Sequence, residues 1–373
     1  MNRYLYTLAV STLLSAPAYG QAPSAMRAVT DFGVSTANAD NTSQMQAAIN
    51  WAMTNYARIW LPFNVQIAGT LTINAALGRG GFAIDGPGQI VETSSNLPII
   101  NFDGTLNFQE APQISNLPLA YSTPQGAANT NSYCILFSGT GANSVYNGKF
   151  NNVECTYAYR GFGQTGNENL WGNRWTNIRC KQVAGMCLSF NNTNTGGQPN
   201  NYFGNVYAIN SSCADPYQFA FANQSTLTLD NLEVNQITGC RLLSVSGGTQ
   251  RGISVRTIRC EVCNVGQESS GTGMIEADGA GIHIEGYEIE TLTVNMTPGS
   301  NFFLFQDNGA SGPPDVVTNA HYFQYTTPGT GGNIYGVNSP NVTVYLQPFY
   351  NWEGSSTYTG DVAPGANVTM IWN

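Results

Sequence analysis

A short motif recurs along the middle of the chain at nearly constant spacing, and this periodicity constrains the fold more than any other feature of the sequence. The segments KFNNVEC (149–155), RWTNIRC (174–180), YFGNVYA (202–208), TLDNLEV (228–234), SVRTIRC (254–260) and HIEGYEI (283–289) align without gaps. Their central residues, Asn152, Asn177, Asn205, Asn231, Thr257 and Gly286, follow one another at steps of 25, 28, 26, 26 and 29 residues. Apolar side chains sit two positions before each centre, then one and three after it. Strict strand alternation would put the first two of these on opposite faces, so a bend must lie between them. Asn and Gly tolerate the left-handed backbone conformation that such a bend needs. Thr257 is the exception, and the pattern predicts that it is the most strained of the six.

Another strand follows each bend. YCILF, MCLSF, YQFAF and RLLSV alternate or run apolar, and Cys134, Cys187 and Cys240 recur 53 residues apart, which is two units. Three short strands per unit, without helical periodicity, predict an all-β, single-stranded parallel β-helix whose equivalent positions stack about 4.8 Å apart. Phe150, Trp175 and Phe203 then form one inward aromatic row. An open solenoid end offers strand edges to other chains. The stretch NTSQMQAAINWAMTN supplies a cap, with Met45, Ala48, Ile49, Ala52 and Met53 on one helical face after an N-cap at Thr42 or Ser43. The repeat fades after Val294. The chain therefore divides into a parallel β-helix with its N-terminal cap over 21–296 and an irregular β-rich C-terminal tail over 297–373, packed on the last coils.

Residues 1–20 read as a secretory signal: one Arg, an apolar run and small residues at Ala18 and Gly20. A secreted protein, extracellular or periplasmic, is expected, with no later segment long and apolar enough to span a membrane. The net charge of −9 and only two lysines exclude a nucleic-acid partner. The even set of eight cysteines predicts disulfides in an exported chain. Cys155 and Cys180, on neighbouring rungs, are the expected pair, with stacked free thiols as the alternative. No metal site is expected, because the one C-x-x-C, Cys260 to Cys263, has neither a second such pair nor a His pair beside it.

The opening of the mature chain resembles a known group. Val29-x-Asp31-Phe32-Gly33, Asp40-Asn41-Thr42, Gln46-x-x-Ile49, Leu61-Pro62 and Gly69-x-Leu71-x-Ile73 resemble the start of secreted right-handed β-helix proteins of the pectate-lyase-like superfamily, especially the rhamnogalacturonase and epimerase type. The resemblance covers about fifty residues. It implies a right-handed coil and a polysaccharide partner, with an oligomer among the forms such proteins take. It implies no particular reaction, because the Asn-Thr-Asp, adjacent Asp pair, Gly-His-Gly and Arg-Ile-Lys of polygalacturonase-like enzymes are missing, as are the esterase and calcium-lyase signatures. No cofactor is expected, calcium entering only with lyase chemistry.

Stacking the repeats puts charges in outward rows. One row carries Asp230, Arg256 and Glu285, and another carries Glu233, Arg259 and Glu288, with Glu154 beside Arg179 on earlier coils. Alternating signs remove the repulsion of like charges about 4.8 Å apart and discourage slipped register. The functional alternative is a sugar groove in which Tyr202 and Tyr207 stack on rings while Asp230, Glu233, Arg251, Arg256, Arg259 and Glu285 bind hydroxyls or a uronate. Glu276, Asp278 and His283, within MIEADGAGIHIEG, are the candidate catalytic set, as two carboxylates and an imidazole can serve as general acid and base on a glycosidic bond. The expected protein cleaves an extracellular or cell-wall glycan, acidic sugars included, by lyase or glycoside hydrolase chemistry. The alternative is a non-catalytic glycan-binding or adhesion protein on the same scaffold.

Overall fold

The computed structural model of the protein describes residues 25–74, 81–103, 111–139, 144–192, 199–211, 214–235, 240–246, 252–261, 263–268, 273–278, 282–284, 287–296 and, further on, the strands between 301 and 370. The expected signal segment, Arg251, Glu285 and Gly286 lie outside these residues. The strands Gln113–Tyr121, Lys149–Thr156, Arg174–Lys181, Asn201–Ile209 and Leu227–Asn235 stack in parallel as the core of a first sheet. Tyr133–Phe137, Arg160–Gly166, Leu188–Asn192, Tyr217–Ala222, Arg241–Ser246 and Gly273–Asp278 belong to a second sheet, parallel throughout and eleven strands long. A short third ladder pairs Ser144–Tyr146 with Asn169–Trp171. The chain is an all-β parallel solenoid, and parallel crossovers of this kind are right-handed. Beyond residue 300 the described strands continue both main sheets in parallel.

The repeated asparagine makes the bend. Asn116, Asn152, Asn177, Asn205 and Asn231 have φ between 53° and 60°, in the left-handed region. Each is skipped in the ladder, so that Phe150 pairs with Trp175 and Val153 with Ile178 while both point inward. The side chains chain together along the axis: Asn152 donates to Asn116 at 2.9 Å, Asn205 to Asn177 at 3.3 Å and Asn231 to Asn205 at 3.1 Å. Asn177 donates instead to Asn151 at 3.1 Å. The expected strain at Thr257 is not found. Thr257 has no left-handed φ, and its strand breaks into Ile253–Val255 and Ile258–Glu261 around Arg256 and Thr257. A β-branched residue resists positive φ, so the ladder yields instead of the backbone.

Inside, Phe150, Trp175 and Phe203 stack as expected, with centroid spacings of 3.8 and 5.8 Å and planes 9° apart. Phe137 and Phe190 of the second sheet meet Trp175 edge-on, closing the interior. The capping helix Thr42–Asn55 buries Met45, Ala48, Ile49, Ala52 and Met53 as predicted. Its N-cap is Asn41, where Thr42 or Ser43 was expected. Asn41 donates to the backbone carbonyls of Ser35 and Gln66. Asp40 takes over the capping contact, accepting from the Thr42 amide at 2.8 Å and from its hydroxyl. Among the described residues no helix is long and apolar enough to cross a membrane.

The expected Cys155–Cys180 bond does not form. The two residues face each other in register, but stacked side chains on one row point the same way, whereas a disulfide needs Cβ atoms that converge. Cys155 bonds instead to Cys134 of the preceding coil, across the interior, and Cys180 bonds to Cys187 around the next corner. Cys240 and Cys260 are also disulfide-bonded. Two outcomes test this interior. Peptide mapping of the non-reduced protein should recover the Cys134–Cys155 and Cys180–Cys187 links and no Cys155–Cys180 link. Trp175→Ala should cost about 3–5 kcal/mol in denaturant unfolding, the range for removing a large buried aromatic.

Candidate functional site

Outward positions of the first sheet form rows on both sides of the asparagine bend. After the bend, one row runs Glu154, Arg179, Tyr207, Glu233 and Arg259 from rung to rung. Arg179, Tyr207 and Glu233 of this row, with Asn177, Asn205, Asn231 and Lys181, line an open groove of about 380 Å³. Glu154, which register places beside Arg179, is taken by Lys181 at 2.8 Å. Arg179 is exposed and makes no ion pair among the described residues, so its guanidinium is left to the groove.

The far end of the groove is a charge network. Arg259 lies 3.9 Å from Glu233 and 2.5 Å from Glu261, and Asn235 donates to Glu261 at 2.6 Å. Burial, and then the charges of Glu233 and Glu261, push the Tyr207 hydroxyl above its ordinary pKa, which keeps it a neutral proton donor. The expected pairing of Tyr207, Glu233 and Arg259 is thus realised in one place.

Tyr202, Asp230 and Arg256 also come together, before the bend. The Tyr202 hydroxyl donates to Asp230 at 3.0 Å, and Arg256 lies 3.5 Å from the same carboxylate. Burial and this hydrogen bond raise the Tyr202 pKa. Ion pairing across neighbouring rungs, the structural role expected of these rows, is present at both Asp230–Arg256 and Glu233–Arg259.

The expected catalytic set is divided between the two sheets. His283 lies in the first-sheet strand Ile282–Ile284, in register with Ser254. Glu276 and Asp278 share the second-sheet strand Gly273–Asp278, and their alternate positions put both on one face. Glu276 accepts a hydrogen bond from Tyr217, lies 3.4 Å from Arg241 and accepts from Gln306 at 3.3 Å. Along the same outer row Leu136, Ser189, Ala220 and Ser244 are 3, 0, 7 and 9% exposed, so the outward positions expected to face a substrate are largely covered. A related clamp lies further back on this sheet. Arg160 grips Asp215 through two hydrogen bonds of 2.7 and 3.1 Å and donates to Tyr133, while Tyr159 also donates to Asp215.

Sequence reasoning passed over Lys181 and Glu261 and treated Arg179 as one rung of a ladder. The available signal was local. The strand Arg174–Lys181 carries three of the 13 lysines and arginines of the chain and no carboxylate.

Parallel ladders wound about one core and closed by an amphipathic helix decide the fold. The chain is a parallel β-helix. No family model and no curated protein matches the sequence of this β-helix. Among solved structures it is similar to the Acinetobacter phage vB_ApiP_P1 tailspike protein, at 13% identity over 91% of this chain and 59% of that one, with a TM-score of 0.49. It is also similar to the catalytic domain of a GH87 alpha-1,3-glucanase in complex with tetrasaccharides, at 13% identity over 96% and 71% of the two chains, TM-score 0.47. A third is DFA-IIIase from Arthrobacter chlorophenolicus A6 without its lid, at 9% identity over 91% and 98%, TM-score 0.42. Identity of this order leaves every site residue to be judged on the geometry of this chain.

Among the described residues, a strongly shifted carboxyl lies away from the groove. Glu168, at the corner before Asn169–Trp171, is fully buried, and burial pushes its pKa from 4.5 up to about 8, the charge of Asp103 adding to the effect and the Gly139 amide opposing it. The folded state therefore holds this proton more tightly than the unfolded chain does. Its contribution to stability is greatest below pH 4.5, falls by up to about 1.4 kcal/mol per pH unit toward pH 8, and levels off above that. Denaturant unfolding across this range should show the slope, and Glu168→Gln should flatten it.

Proposed function

We propose that the protein is an extracellular, polysaccharide-active β-helix that seats a glycan chain along the groove after the asparagine bend. The observation that carries this reading is Arg179, an exposed guanidinium with no ion pair among the described residues, one rung from Tyr207. A guanidinium offers two parallel donors to a carboxylate or to vicinal oxygens, and a tyrosine ring offers an apolar face to a sugar ring. Rungs repeat about every 4.8 Å, close to the length that one pyranose adds to an extended chain, so successive sugars meet successive coils. A groove of about 380 Å³ falls in the size class of small-ligand sites. The disulfides support work in an oxidising compartment.

Cleavage, as a lyase or hydrolase, is the fuller form of this proposal. A second reading, retention without cleavage, is favoured by the engagement of Glu276 with Tyr217, Arg241 and Gln306, which leaves it poorly placed to exchange a proton. A screen on acidic and neutral polysaccharides separates the two. Absorbance of an unsaturated uronate marks a lyase, new reducing ends without it a hydrolase, and retention without product a binder. Arg179→Ala should weaken glycan retention about tenfold or more with an unchanged melting temperature, as expected for hydrogen bonds to a charged group worth about 1.5–3 kcal/mol. Retention equal to that of the unaltered protein would remove the groove from consideration. Where turnover is found, Glu276→Gln should lower it about a hundredfold if that carboxylate transfers the proton. Undiminished turnover in both Glu276→Gln and Asp278→Asn moves the chemistry to the groove.

A further inference from the structure

A second feature of the outer surface is unexplained by packing and lies at the opposite end of the same strands. The third ladder sets Tyr146 beside Trp171 in register, with ring centroids 5.2 Å apart in an edge-to-face contact. Both aromatics point outward, since Val145 and Leu170 between their neighbours are buried. Trp171 is 39% exposed, one of five large apolar side chains left so open among the described residues. Just around the corner, three residues further along each coil, stand Lys149 and Arg174, which are also in register and exposed. The corners are tight, with Asn147 and Gly172 in the left-handed region at φ 54° and 66°, so the aromatic pair and the cationic pair flank one edge of the solenoid.

The charges in this row break the rule that governs the others. Asp230 meets Arg256, Glu233 meets Arg259 and Glu154 meets Lys181, so each of these carboxylates has a cation one rung away. Lys149 and Arg174 are like charges on adjacent rungs, and neither makes an ion pair among the described residues. The next rung is Tyr202, whose ring lies 4.9 Å from the Arg174 guanidinium and holds it in place, while Gln113 lies on the rung before. Among the described residues no carboxylate pairs with these stacked cations, although carboxylates outnumber cations 22 to 13 overall. Such a row is stabilised by an anion from outside. A sparse cation set and a net charge of −9 fit a short anionic ligand better than a nucleic-acid backbone.

We propose that Trp171, Tyr146, Lys149 and Arg174 form a separate binding site for an anionic sugar of a glycan, with the ring stacked on Trp171 and its acidic group, carboxylate or sulfate ester, between Lys149 and Arg174. This site goes beyond the groove reading and stands without it, since it shares no residue with the groove.

The test is calorimetric titration of the full chain with three tetrasaccharides: a hexuronate, a sulfated neutral sugar and an uncharged glucan. The unaltered protein should bind at least one of the two anionic probes, and the one it prefers identifies the acidic group. Trp171→Ala and the double variant Lys149→Ser with Arg174→Ser should each weaken that binding event tenfold or more, with unchanged thermal unfolding, because all three side chains are at the surface. Trp171→Phe should recover most of the loss. Arg179→Ala should leave the event in place, so failure of the groove and failure of this site are read separately. Undiminished binding in both Trp171→Ala and the double variant overturns the site. Equal affinity for the uncharged glucan overturns its anionic character, and loss of the event in Arg179→Ala overturns its separateness.

Discussion

Everything in this fold depends on the stacking of one unfavourable backbone conformation upon itself. A left-handed residue inside a strand is costly for most side chains, and a coil with a single such bend has little to hold it. In this chain the bend is repeated at Asn116, Asn152, Asn177, Asn205 and Asn231, and the amides bond along the axis. The same side chain that tolerates the bend supplies the bond that rewards its repetition. With the corner set, residues on either side of it face the interior, and the aromatic row of Phe150, Trp175 and Phe203 follows.

The corner also organises the surface. Because the ladder skips the bent residue, outward rows before and after it keep their register for several coils, and side chains far apart in sequence meet on adjacent rungs. The groove with Arg179, Tyr207 and Glu233 and the edge with Lys149 and Arg174 are both products of this alignment. One strand, Arg174–Lys181, contributes to both, its first residue lying before the bend and its last two cations after it.

Much of this was legible because it is periodic. The asparagine bend, the inward aromatics and the buried face of the capping helix each follow from spacing alone, as does the pairing of Asp230 with Arg256 and Glu233 with Arg259. What spacing could not supply was direction across the interior. Cys155 and Cys180 were correctly placed on neighbouring rungs, yet their partners lie elsewhere, Cys134 in a strand of the second sheet and Cys187 at the corner just before one, and a one-dimensional repeat does not orient these. Thr257 shows a second limit: the repeat marks where a bend belongs, while the local chemistry decides whether the strand bends or breaks. Arg179 shows a third. Its availability rests on Lys181 capturing Glu154, a competition between two cations two residues apart that only side-chain positions resolve.

A stack of coils that touch only their neighbours can unzip from an end, one rung at a time. The clamp at Asp215 removes that freedom locally. Asp215 reaches back about two repeats to Arg160 and Tyr159, passing over Gly185, where a Cβ would come within 2.5 Å of its carboxylate. The intervening coil is strapped beneath this contact, and Arg160 extends the strap one coil further to Tyr133. A force applied along the axis would therefore meet a block of coils that must part together, with fraying confined to the ends beyond the strap.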